Sequence, residues 1–152
     1  MKIKRSQKLP KSQSAFPFCY KQRLKMKHLE SQEQKAVIKW ARLNAKRSPC
    51  LNWLHSSQAG VKMTAIQARI AKAEGMISGI SDLFLPLPLG KYAGLYIEMK
   101  KPKTATSAKG VLSQNQKDFL DYANAVGYKA VVAYGATEAI NYIKEYLGIK
   151  DD

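Results

Sequence analysis

The chain has 152 residues and a formal net charge of +15, enough length for one domain with a sizeable core and too little for two ordinary ones. Such a charge calls for a polyanionic partner, nucleic acid first and an anionic membrane surface second. Cys19 and Cys50 stand apart, as do His28 and His55, so a zinc cluster or a histidine-based triad lacks material and a reduced, cytoplasmic setting is the simplest reading. No apolar run approaches the roughly 20 residues needed to span a bilayer, and no apolar signal region follows the basic start.

Residues 1–29 carry nine Lys or Arg and no Asp or Glu, with Pro10 and Pro17 among Ser and Gln. This composition predicts a flexible basic arm ahead of a folded unit spanning 30–150. The arm could neutralise phosphates or serve only as a solvated tail. Ser31-x-x-Gln34 reads as a capping box, and Val37, Trp40, Ala41 and Asn44 follow at helical spacing, so a helix is expected over about 32–45. Glu33 lies one turn before Val37 on the same inward stripe. It could complement the helix dipole or serve a site beneath the helix.

Leu51–Leu54 is apolar enough for a short strand after Pro49. Thr64-x-x-Gln67 is a second capping box, opening a helix with an apolar stripe of Ile66, Ile70 and Ala73 and a stop at Gly75. The chain then turns through Gly79 into a strand that begins at Asp82 and closes at Pro86, Pro88 and Gly90. A hairpin returns it through Leu95–Lys100.

This hairpin carries the chemistry. Alternation along a strand puts Glu98 and Lys100 on one face and Leu95, Ile97 and Met99 on the other, and the hairpin brings Asp82 alongside the charged pair. Two carboxylates beside an ammonium offer hard oxygen ligands for a divalent cation and a lysine next to any water it holds, as phosphodiester hydrolysis requires. Short charged patterns are common on solvated strand faces. Here, however, the charges interrupt runs that read as buried, where an unpartnered carboxylate is costly.

Residues 101–110 are small, polar and basic, predicting a mobile loop whose Lys101, Lys103 and Lys109 could close on substrate phosphates or merely keep the loop soluble. A helix follows from Ser113, with Phe119, Leu120, Ala123 and Val126 inward and a stop at Gly127. Gln116 is the last residue of a Ser113-x-x-Gln116 capping box, so it could do no more than bond the Ser113 amide. Tyr128–Tyr134 reads as a buried parallel strand, and a final helix over about 137–147 places Ile140, Ile143 and Leu147 on one side.

Three ordered motifs, Gly79-Ile-Ser-Asp82-Leu-Phe-Leu, Gly94-Leu-Tyr-Ile-Glu98-Met-Lys100-Lys-Pro and Leu112-Ser113-Gln-Asn-Gln116-Lys, resemble the virus-type replication-repair nuclease (VRR-NUC) domain of the PD-(D/E)XK superfamily, in its stand-alone phage or prophage form. The resemblance covers about residues 30–148 and departs at Ser81, where the family usually has proline. It implies an α/β fold, a restriction-endonuclease-like mixed β-sheet flanked by α-helices. It also implies Mg²⁺ or Mn²⁺ held by Asp82, Glu98 and the Met99 carbonyl with Glu33 as a further carboxylate, catalysis by Lys100, and a Gln116 that faces the site. The activity so implied is structure-selective cleavage of branched DNA by a homodimer in the bacterial cytoplasm. On the residues alone, a non-catalytic DNA-binding module would explain the charge but not acids converging inside an apolar sheet. A ribosome-type RNA-binding protein would explain less still.

Overall fold

The structure, a computed structural model, describes residues 18–57, 63–105 and 108–150, with side chains from residue 29 onward. Its elements are α1 (Phe18–Asn44), a 3₁₀ turn (Pro49–Trp53), β1 (His55–Ser56), α2 (Ala65–Ala73), β2 (Leu83–Leu85), β3 (Leu95–Lys100), α3 (Gln114–Ala125), β4 (Lys129–Tyr134) and α4 (Ala136–Leu147). The strands form one mixed sheet in the order β1-β2-β3-β4, antiparallel except for the parallel β3–β4 pair. The expected α/β architecture is therefore present.

One face of the sheet packs on α1 and α4. Leu83, Leu85, Leu95 and Ile97 are fully buried there with Val37 and Ala41 of α1 and Ala139 and Ile143 of α4. The other face carries Phe84 stacked on Tyr96, with ring centroids 4.2 Å apart, and Phe119 of α3 meets Tyr96 edge-on at 5.1 Å. Such pairs contribute about 0.5–1.5 kcal/mol beyond area burial, and this contact seats α3 beside Glu98 and Lys100.

Several local expectations are corrected. The helix predicted from residue 32 begins at Phe18, so residues 18–29 of the expected arm are helical, while 1–17 lie outside the described residues. Ser31 is exposed mid-helix, where a hydroxyl is tolerated because it can point to solvent. The strand expected at Leu51–Leu54 is a 3₁₀ turn. Pro49 starts it, and the Arg42 guanidinium donates to the Leu51 and Leu54 carbonyls at 2.6 and 2.9 Å, satisfying groups that a strand would have paired laterally. The α2 capping box forms as predicted, yet α2 buries no residue, and Ile66 and Ile70 are 72 % and 52 % exposed. In α4 the fully inward positions are Ala139, Ile143 and Tyr146. Ile140 and Leu147 flank the core, and the Tyr146 hydroxyl donates to the Leu87 carbonyl at 2.6 Å. β4 is only partly buried because it is an edge strand.

Candidate active site

The antiparallel register pairs Leu83 with Ile97, and one further step brings Asp82 opposite Glu98. Asp82 sits at the bend just before β2, where its Oδ2 accepts the Met99 amide at 2.8 Å. Because a strand residue directs its N–H and C=O to the same neighbour, the Met99 carbonyl also points to the Asp82 side. On β3, Glu98 is 1 % exposed, and its Oε1 accepts the Lys100 ammonium at 2.8 Å. The same oxygen accepts the Gln116 side-chain amide, while Glu98 Oε2 is buried with no hydrogen-bond partner. The sequence thus located Asp82, Glu98, Met99, Lys100 and Gln116 in one place.

The structure joins the two readings of Gln116, as a cap and as a residue facing the site. Its Oε1 accepts the Ser113 amide at 2.9 Å, completing the capping box, while its Nε2 donates to Glu98. A glutamine has an acceptor at one end of the amide and donors at the other, so one side chain does both.

Glu33 has a different role, as a helix cap. Its Oε2 accepts the Ala136 amide at 2.6 Å, capping an α4 whose N-cap residue, Gly135, has no side chain to do so. Capping contacts of this kind are worth about 0.5–2 kcal/mol. The acid that faces the pair is Glu30, one turn earlier. Its charge pushes up both Asp82 and Glu98, and its Oε1 accepts the Lys101 amide at 3.4 Å. The sequence held a signal for it, since Glu30 lies on the stripe of Val37 and Ala41, but a helix started at residue 32 leaves it outside that helix.

Burial is the first cause of the raised pKa of both acids. Glu98 is pushed to about 7 by desolvation and then by the Asp82 charge, against the pull of Lys100, and Asp82 is raised by desolvation against the Met99 amide and Lys100. Two carboxyls held close in an apolar setting, one with an unpartnered buried oxygen, are a donor set that a hard divalent cation would satisfy. Among the described residues no three His, Cys, Asp or Glu side chains form a closed ligand cluster. The pair fits a cation of the Mg²⁺ type, which keeps several waters and uses one or two carboxylates.

The loop lysines divide. Lys101 is buried, and its carbonyl accepts the Gly110 amide at 3.1 Å. Lys103 and Lys109 are exposed, and the Lys109 ammonium lies 4.6 Å from the Tyr134 ring centroid. A Cβ on Gly110 would stand 3.2 Å from Lys100 Cβ and Cδ, so the loop end packs on the stem of the site lysine. Among the described residues no helix is long and apolar enough to cross a membrane.

An apolar sheet that gathers Asp82, Glu98 and Lys100 beneath Gln116 of α3 is the plan of a nuclease domain, and the comparisons with known proteins agree. The VRR-NUC domain profile matches residues 22–137, and the chain belongs to that family of nucleases. A solved structure described as a VRR_NUC domain protein is similar, with a TM-score of 0.63 and 29 % identity over 81 % of this chain and 91 % of that one. Among curated proteins none matches.

Proposed function

We propose that the chain is a DNA endonuclease that hydrolyses phosphodiester bonds with Mg²⁺ or Mn²⁺ held by Asp82 and Glu98, the Met99 carbonyl beside them. The observation that carries this reading is the buried, unpartnered Oε2 of Glu98, a residue that the hairpin register sets opposite Asp82. When bound, such a cation acidifies water and neutralises charge developing on the phosphate. Gln116 and Lys100 both engage Glu98 Oε1, which fixes the carboxylate and leaves Oε2 for the cation. The Lys100 ammonium, close to the site through that bond, can balance charge on the phosphate oxygens. Glu30 replaces Glu33 as the third acid in this proposal, acting at longer range.

The exposed Lys103 and Lys109, together with the basic N-terminal segment, supply sequence-independent phosphate contacts. Selection of branched DNA and a homodimer belong to the same proposal. The exposed Ile66, Ile70 and Ile77 give a second copy an apolar surface to cover. Supercoiled plasmid and a four-way junction are the test substrates. With Mn²⁺ the chain nicks both and cuts the junction faster than a linear duplex of equal length, and with chelator it cuts neither. Sedimentation gives about twice the 17.0 kDa chain mass. Cleavage unaffected by chelator would overturn the metal assignment, equal rates on junction and duplex the selectivity, and a monomer at micromolar concentration the dimer.

A further inference from the structure

The segment that delivers Asp82 is pinned from two sides. On one side, Ser57 just beyond β1 donates its amide to the Asp82 carbonyl at 3.0 Å and its hydroxyl to the Ser81 carbonyl. On the other, the first turn of α3 presses on the Ser78–Gly79 turn. The Asn115 side-chain amide donates to the Ser78 hydroxyl at 2.9 Å. Gly79 has φ of +94°, and a Cβ there would stand 2.7 Å from the Asn115 backbone, so no other residue fits this approach without displacing α3. Asn115 is the immediate neighbour of Gln116, whose amide holds Glu98.

One helical turn therefore bonds Glu98 through Gln116 and, at Ser78 and Gly79, packs on the turn that leads into Asp82. From this we infer that Asn115 and Ser78 are positioning residues: their contact locks the first turn of α3 to the Asp82 turn and fixes the spacing of the two carboxylates. Neither side chain touches the reacting atoms. Because the spacing of ligands governs a rigid cation site more than it governs folding, loosening the lock slows chemistry while leaving the fold in place. The inference rests on the nuclease reading for its kinetic consequence and on the geometry alone for its structural one.

The test uses the full chain with Asn115→Ala, Ser78→Ala and the double variant. Two readouts are compared, the side-chain amide resonance of Gln116 in ¹⁵N-labelled, metal-free protein and the single-turnover cleavage rate with saturating Mn²⁺. Each single variant shifts the Gln116 amide resonance and slows cleavage by about five- to tenfold, the scale of one lost hydrogen bond. The double variant is no slower than either single one, because both remove the same contact. Melting temperature stays close to wild type, since the pair is exposed. An unmoved Gln116 resonance with unchanged rate in both single variants would overturn the inference, as would fully additive losses that follow melting temperature. Gly79→Ala, expected to be the most severe, is read only beside these two. Should wild-type protein cleave nothing, the nuclease reading fails, and the Gln116 resonance still decides the lock.

Discussion

Glu98→Gln removes cleavage activity by at least about 10²-fold and leaves DNA affinity close to wild type, because the substitution deletes the charge but keeps the volume and the amide-bonding oxygen. The neutral side chain can still accept from Lys100 and Gln116 through its oxygen, so the hydrogen bonds around Glu98 Oε1 survive. What is lost is a charged oxygen at the Oε2 position, which has no protein partner. Lys100→Ala gives a comparable loss for a different reason. It strips the ammonium that balances both Glu98 and developing phosphate charge, and it opens the space that Gly110 packs against. Gel-based cleavage alongside a binding titration in chelator separates these losses from misfolding. Wild-type-like cleavage by either variant would remove the hairpin from the reaction.

Metal-free protein loses stability as pH rises from about 5 to about 7, and a divalent cation reverses that loss. The sign follows from Glu98, whose pKa goes from an ordinary 4.5 to about 7 on folding. Between those values the folded chain holds a proton that the unfolded chain has released. Stability therefore falls as pH climbs through the window and levels off above it. Asp82 is raised as well and adds in the same direction. Thermal melts in chelator at pH 5 and pH 8 give the higher melting temperature at pH 5, and Glu98→Gln flattens the difference. Mn²⁺ at pH 8 raises the melting temperature of wild type and not of Glu98→Gln, since only the ionised pair gains from the ion. A melting temperature that rises with pH in chelator would contradict the electrostatics of the site.

The hairpin was legible in the sequence because a period of two leaves little freedom. Once Leu95, Ile97 and Met99 take the core face, Glu98 and Lys100 must share the other, and the fully buried Leu95 and Ile97 bear this out. Capping boxes were legible at Thr64 and Ser113, where the hydroxyl does meet an N-terminal amide. At Ser31 the same pattern misled, since nothing local reveals that a helix continues upstream. That error concealed Glu30. Glu33 was misplaced because helical periodicity reports which face points inward and not which element lies beneath, here the bare amide of Ala136 more than a hundred residues later. The exposed α2 stripe shows the same limit: apolar spacing identifies a surface to be covered, while tertiary packing decides whether this chain covers it. The aromatic layer of Phe84, Tyr96 and Phe119 likewise needed the strand register to assemble it.

Anomalous diffraction from crystals of the wild-type chain soaked in Mn²⁺ tests the central claim most directly. The account predicts a manganese peak between Asp82 and Glu98 in contact with Glu98 Oε2, with Gln116 still on Oε1, and no peak there in Glu98→Gln crystals soaked alike. Manganese bound elsewhere on the chain with nothing between these two carboxylates, under conditions where the same protein cuts DNA, would contradict it.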